Sequence, residues 1–371
     1  MSTPLHTLSA AADAWRDAAE DFDSAALRVF EAQRTSIPAY AAWCAHELAA
    51  RDSSEVTSWR DIPALPIAAF KQLDVFEPDA PVAAEWESSG TTAAERSRHR
   101  LQELTQYEDS LVAGVRAALL PDVVRGVRAP LACVQLQPSA ADAPHSSLTH
   151  MYDRIRADRS CVDAGVFVDG DYAIDFVGAW QALQRVAREG TPTLVLSTSF
   201  ALAMLLDEAE AQGWDPIQLP EGSRVVDTGG FKGRTREISR DELLARVALW
   251  LWVPAAWCEN EYGMSELSSQ AWLGTVAESV GFPLELTAPD ARWTPPWLRV
   301  RVVDPVTLAD VADGEQGLLV FHDLANVWSC AAIRSEDLGI RRGDGFELVG
   351  RAPGAALKGC SLQLEDVCDP S

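Results

Sequence analysis

Apolar residues in the first segment recur at the spacing of one helical face: Leu8, Ala12, Trp15, Ala19, Phe22, Ala26, Val29 and Phe30. The spacing predicts a helix over 8–30 and a second over 38–48, both for packing. The stretch 62–71 then sets Pro63 and Pro66 among apolar residues, which predicts an extended, buried connection. Helical periodicity returns over 101–120, 172–188, 199–211 and 241–252. Ser239 and Glu242 have the spacing of a capping box for the last of these. Short apolar runs between the helices predict strands at 131–136, 192–197, 224–227 and 256–260. Polar turns separate them, among them Pro144-His145-Ser146-Ser147-Leu148. Strand alternating with helix predicts an α/β sheet with helices on both faces. After Thr294-Pro295-Pro296 the period changes to two, as in Leu298-Arg299-Val300-Arg301-Val302. Further runs at 317–321, 329–333 and 346–349, separated by glycine turns, predict antiparallel β structure. Trp250, Trp252 and Trp257 are assigned to core.

Composition narrows this picture without changing it. Of 371 residues, 47% are hydrophobic and 23% charged, an ordinary globular balance with length enough for a large core. The expected organisation is a core of 1–350, with a helical start (1–60), an α/β body (61–290) and a β-rich part (291–350). A tail follows at 351–371. The formal net charge is −24. Such a field repels nucleic acid and anionic membrane surfaces, so neither is an expected partner. It also disfavours a polyphosphate at long range, so a nucleotide site needs local donors or a divalent cation. Seven cysteines without CxxC spacing argue against a disulfide framework and a structural zinc site, and favour the cytoplasm. The amino terminus has no secretory pattern. The longest apolar run, 247–258, is interrupted by Pro254 and too short to span a bilayer.

Chemistry concentrates in a few stretches. Ser88-Ser89-Gly90-Thr91-Thr92 packs four hydroxyls and one glycine into five positions. Such a loop suits a polyanion, with hydroxyls and backbone N–H groups donating and Gly90 permitting close approach. It would equally serve as a polar surface turn. Tyr262-Gly263-Met264-Ser265-Glu266 follows an expected strand. The tyrosine offers a flat face to a purine, and the glutamate can hold Mg²⁺ against phosphates. The plain alternative is a packed tyrosine with a solvated acid. Asp337, in the acidic turn 335–339, can accept from two ribose hydroxyls or simply shape a turn. Arg351, after Gly350, can reach a phosphate or ribose oxygen or form a surface ion pair. His99 and His145 are candidate polar groups of a pocket, or hydrogen-bonded turn residues.

In this order the pieces resemble the adenylate-forming enzymes: acyl-CoA ligases, peptide-synthetase adenylation domains and luciferases. The closer likeness is to acyl-protein synthetases of the LuxE type, which supply fatty acids to the reductase complex of bacterial luminescence. The carrying residues begin with Ile62-Pro63, Pro66 and Phe70-Lys71, then Ser88 to Thr92 with Ser97, His99 and Tyr107. They continue with Ser146-Ser147-Leu148, Met151, Gly229-Gly230, Lys232, Tyr262 to Glu266 and Asp323-Leu324. Glu336 to Gly339, Gly350-Arg351 and Gly359-Cys360-Ser361-Leu362 complete the set, which covers the chain from about residue 60.

The resemblance implies the large α/β N-terminal domain of adenylating enzymes, with mixed sheets and a smaller antiparallel part. It implies ATP and Mg²⁺, and a carboxylic acid, fatty or related, as substrate. Ser88, Ser89, Gly90, Thr91 and Thr92 would bind phosphates. Gly229, Gly230 and Gly263 would line the nucleotide pocket beside Tyr262, which would stack on adenine. Glu266 would hold Mg²⁺, Asp337 the ribose, and Arg351 would sit at a hinge. Two departures stand out. Ala93 replaces a usual glycine, and the sequence stops about 20 residues after Arg351, where the family adds a mobile domain with a catalytic lysine. Lys232 is the candidate substitute cation. Cys360, beside Lys358, would carry the acyl group as a thioester, with Cys368 its rival. The receiving partner would be an acyl reductase or carrier protein. A ligase forming coenzyme A thioesters or loading a carrier, and a nucleotide-binding subunit without chemistry, are the alternatives.

Overall fold

The computed structural model describes residues 7–51, 54–88, 96–229, 238–288 and 291–352. Its strands, in chain order, begin with β1 (Leu65–Pro66), β2 (Ala84–Glu87), β3 (Arg98–Leu101), β4 (Leu131–Leu136), β5 (Cys161–Val166) and β6 (Thr193–Thr198). They continue with β7 (Arg224–Thr228), β8 (Cys258–Tyr262), β9 (Ala271–Trp272), β10 (Leu298–Val303), β11 (Gln316–Asp323), β12 (Ala332–Arg342) and β13 (Gly345–Arg351). The chain forms two compact units. One comprises 1–110, 263–270 and 286–371, the other 111–262 and 271–285.

The second unit is the doubly wound part. Its sheet has the order β5-β4-β6-β7-β8-β9, parallel except for the terminal β8–β9 pair. Strands β4, β7 and β8 are buried along their whole length and β6 nearly so, as a sheet covered on both faces requires. Helices Phe176–Arg188, Ser199–Ala211 and Arg240–Leu251 pack on it through Leu183, Leu205, Leu206 and Val247. Their starts are capped: Asp175 Oδ1 accepts from Gly178 N, Thr198 Oγ1 from Ala201 N, and Ser239 Oγ from Glu242 N. The helix expected over 172–188 therefore begins four residues late, at its cap. The polar turn at 144–148 leads into a helix the pattern did not predict, Ser147–Arg156, with Ser146 as its cap. Trp252 is a correction. It ends its helix in the left-handed region (φ 55°) and is 57% exposed, whereas Trp250 and Trp257 are partly buried against the core.

The first unit carries the antiparallel part. Strands β10, β11, β12 and β13 pair antiparallel in sequence order, and β1 joins β12 in parallel. Gly317 is needed where β10 passes, since a Cβ there would meet Val303 O at 2.3 Å. The single helix expected over 8–30 is three: Leu8–Ala11, Ala14–Asp17 and Phe22–Ser36. Asp21 breaks it, because its carboxylate accepts from Ser24 N and starts a new helix. The second helix, Pro38–Ala49, is as expected. The acidic turn at 335–339 is a second correction. It lies within β12, where a register shift at Leu338/Gly339 absorbs the irregular pairing with β13. Among the described residues no helix is long and apolar enough to cross a membrane.

Candidate active site

In the first unit the hydroxyl stretch falls, in sequence, between two paired strands. Strands β2 and β3 pair antiparallel from Ala84↔Leu101 to Glu87↔Arg98. Ser88 closes its base: Ser88 N donates to Ser97 O at 3.2 Å, and Ser97 N donates to Ser88 Oγ at 3.0 Å. Ser89, Gly90, Thr91 and Thr92 lie outside the described residues.

Against this base lies the turn 263–270. Ser97 Oγ donates to Glu266 Oε1, a contact across 169 residues of sequence. Ser265 Oγ donates to Glu87 O at 3.3 Å. Glu266 is 4% exposed. Burial raises its pKa, while the Ser97 hydroxyl and the charges of Arg351 and Lys71 pull it back. Its hard carboxylate oxygen beside a hydroxyl is the donor chemistry that suits Mg²⁺, which takes one or two carboxylates together with substrate phosphates.

His99 is fully buried beneath the turn. Its Nδ1 is 2.7 Å from Ser265 O and its Nε2 is 2.9 Å from Asn326 Oδ1. Both ring nitrogens face acceptors, so both contacts are satisfied only in the imidazolium form. Burial opposes that form and lowers the pKa, against the pull of the two hydrogen bonds. His99 is thus part of the packing around Glu266. The exposed His145 belongs to the other unit. The far half of the turn is held by Asp323, which no chemical argument from the sequence singled out. Its Oδ2 accepts from Ser268 N and Ser269 N at 2.8 Å, and its Oδ1 accepts from Ser269 Oγ at 2.6 Å. Asp337 and Arg351 are register partners on β12 and β13. Arg351 Nε is 3.8 Å from Asp337 Oδ1, with the arginine side chain 66% exposed.

In the second unit two further predicted residues come side by side. Thr228 and Glu261 are register partners at the ends of β7 and β8, and Thr228 Oγ1 donates to Glu261 Oε2. The next residues along these strands are Gly229 and Tyr262. Gly229 turns the chain at φ 71°, and its carbonyl accepts from Ser199 Oγ at 3.2 Å. Tyr262 is 8% exposed. These are carboxyl ends of parallel strands, where open α/β sheets bind ligands. Gly230, Lys232 and Cys360 lie outside the described residues. Gly263, the next residue after Tyr262, opens the first unit's turn and is exposed.

A cavity of about 340 Å³ in the first unit is lined by Phe22, Trp59, Arg60, Arg299, Arg301 and Asp310 among others, and by none of the residues to which the sequence reading gave a chemical role. Its arginines are already engaged. Arg301 pairs with Asp310 at 2.6 Å, and Arg60 and Arg299 lie over Trp59 and Phe22.

A family model described as LuxE, acyl-protein synthetase, matches residues 22–368. A long-chain-fatty-acid–luciferin-component ligase of Aliivibrio fischeri is 40% identical over 85 residues, 20% of this chain and 22% of that protein. The ligase of the same name from Vibrio harveyi is 32% identical over 77 residues, 19% and 20% of the two chains. The chain thus matches about a fifth of the length of these relatives. Among solved structures, an open 2-hydroxyisobutyryl-CoA ligase in complex with 2-HIB-AMP and CoA is similar with a TM-score of 0.60 at 14% identity. The match covers 89% of this chain and 69% of that one. A long-chain-fatty-acid-CoA ligase, FadD1 of Archaeoglobus fulgidus, matches with a TM-score of 0.50 at 12% identity, covering 78% and 55%. At such identities what is shared is the fold, that of the adenylate-forming N-terminal domain.

Proposed function

Because the chain belongs to the LuxE family of acyl-protein synthetases, we propose that it activates a long-chain or related carboxylic acid with ATP and passes the acyl group to a protein thiol. The observation that supports this most is the meeting of Ser97 and Glu266 at the base of the hydroxyl loop. Ser97 bonds both Ser88, the first residue of the hydroxyl stretch, and Glu266 of the second motif.

In the first step a carboxylate oxygen attacks the α-phosphorus of ATP. The bond from that phosphorus to the β-phosphate bridging oxygen breaks, and pyrophosphate leaves. Ser88 to Thr92 donate to phosphate oxygens, and Tyr262 with Gly229, Gly230 and Gly263 flanks the base. Asp337 accepts from the ribose, and Glu266 is the residue that would hold Mg²⁺. When bound, that ion neutralises charge on the phosphates. Lys232 stabilises the developing negative charge, and Arg351 steers the hinge. In the second step a thiolate attacks the acyl carbonyl, the bond to the AMP oxygen breaks, and AMP leaves. Four of the described thiols are poor nucleophiles: burial pushes Cys44 and Cys258 up to about 12 and raises Cys330, while a hydrogen bond with Cys161 and then burial raise Cys133. The resemblance gives the role to Cys360, with Cys368 its rival.

The test is incubation with ATP, Mg²⁺ and a panel of labelled fatty and aromatic acids. Pyrophosphate release with acyl label retained on the denatured protein supports the reading, and Cys360→Ser should abolish retention while leaving pyrophosphate release. Pyrophosphate release that yields product only with added coenzyme A or carrier protein shifts the acceptor. Nucleotide binding without pyrophosphate refutes the enzyme. For Lys232→Ala, pyrophosphate release at full rate removes the lysine from the mechanism.

A further inference from the structure

The turn that carries Glu266 is gripped from outside. One short segment holds both its halves: Asp323 takes the amides of Ser268 and Ser269, and Asn326 takes the other half. Asn326 is 0% exposed. Its Nδ2 donates to Glu266 O and to Cys330 O, each at 2.8 Å. The nitrogen therefore faces two carbonyls, which orients Oδ1 towards His99 Nε2. His99 in turn reaches Ser265 O through Nδ1. Two consecutive carbonyls of the turn, those of Ser265 and Glu266, are thus each met by one of two touching side chains.

Asn326 is itself anchored. Gln33, buried on the helix Phe22–Ser36, donates through Nε2 to Asn326 O at 2.7 Å and Val327 O at 3.0 Å. Its Oε1 accepts from Ala331 N at 3.0 Å. The segment cannot drift with the turn, because a long helix holds it.

Glu266 is consequently tied at both ends, its carbonyl by Asn326 and its carboxylate by Ser97. We propose that Asn326, with His99 as its bridge, is a positioning residue for adenylation: it fixes the backbone of Ser265-Glu266 so that the Glu266 carboxylate is presented to the cation and the phosphates. This rests on the reading of Glu266 as the Mg²⁺ ligand. Groups that orient a metal ligand act on cation affinity without touching the cation. A residue serving stability alone leaves cation affinity in the folded protein unchanged.

The experiment compares the full-length protein with Asn326→Ser, Asn326→Asp, His99→Gln, Glu266→Gln and Ser329→Ala. Two readouts are taken: the Mg²⁺ concentration for half-maximal pyrophosphate release, and Mn²⁺ binding in the presence of ATP by electron paramagnetic resonance, which needs no turnover. Asn326→Ser is expected to weaken both by about 10- to 100-fold, with excess Mg²⁺ recovering part of the rate. His99→Gln moves them in the same direction by less, because Asn326 still holds Glu266 O. Ser329 is equally buried and donates to Val75 O at 2.9 Å. Its alanine variant should lower the melting temperature and leave cation dependence alone. Wild-type cation dependence in both Asn326 variants, with Glu266→Gln having lost it, overturns the positioning role. A Glu266→Gln protein that binds Mn²⁺ as wild type overturns the reading of Glu266, and this inference with it. Should the Asn326 variants fail to fold, His99→Gln decides by the same two measurements, and an unchanged value counts against the proposal.

Discussion

His322 is 1% exposed, with its ring 4.9 Å from Trp59 in an edge contact. Burial above all, then the nearby charges of Arg301 and Arg60, lower its pKa to about 3 from an ordinary 6.5. The unfolded chain therefore binds a proton below pH 6.5 that the folded chain refuses. Stability from this group is complete above 6.5 and is lost as pH falls towards 3. His322→Phe keeps an aromatic ring and removes the proton. Urea midpoints measured from neutral pH downwards should then fall less steeply than in wild type, and an identical slope would contradict the assignment. The thiols supply a second test at this scale. Cys44, Cys258 and Cys330 are buried with raised pKa values, so iodoacetamide at neutral pH should spare all three in the native protein and modify them after denaturation. Mass mapping of alkylated peptides reads this directly.

At the scale of elements, β7 begins with a charge in the core. Arg224 is 0% exposed and binds Asp122 through two nitrogens, at 3.0 and 2.8 Å, and Leu119 O at 2.5 Å. Burial works against the Asp122 carboxylate, but Arg224 and Arg128 hold its pKa below the ordinary value. Removing Arg224 leaves the buried carboxylate of Asp122 to Arg128, whose side chain is 26% exposed. Arg224→Met should cost about 3–5 kcal/mol in denaturant unfolding, and adding Asp122→Asn should recover part of that. The strand itself was legible as Arg224-Val225-Val226-Asp227. Its ion pair was not, because Asp122 is about a hundred residues away and nothing local marks it. The same holds for the helix Ser147–Arg156. Its cap at Ser146 reads as a turn residue until the following residues are seen to pack.

At the scale of the molecule, the charge of −24 opposes the approach of a tetra-anionic nucleotide. On the proposed reading, local donors and a cation at Glu266 would overcome that field. ATP with Mg²⁺ should raise the melting temperature, by an amount equivalent to about 2.7 kcal/mol at a hundred times Kd, and ATP without the cation should do much less. Moderate salt should lower the KM for ATP or leave it unchanged, since screening weakens the repulsion. A steep loss of ATP affinity on adding salt would mean that a basic surface, not local donors, governs binding.

What the chain determined alone is what short-range physics encodes. Alternation and periodicity placed the parallel core strands, most helices and the antiparallel last third. The clustering of hydroxyls at Ser88 to Thr92 and the Tyr262 to Glu266 motif singled out the stretches on which the proposed function rests. Tertiary structure decided what depends on distant partners. It broke the first helix at Asp21, left Trp252 in solvent and set Asp337 inside a strand. It also brought Ser97, His99, Asp323 and Asn326 around one turn. Ser97, His99 and Asp323 are among the residues that carry the resemblance, but nothing local shows that they meet, and Asn326 is unmarked in the sequence. A buried carbonyl or carboxylate must find a partner, and only the folded chain determines which residue is close enough to supply it.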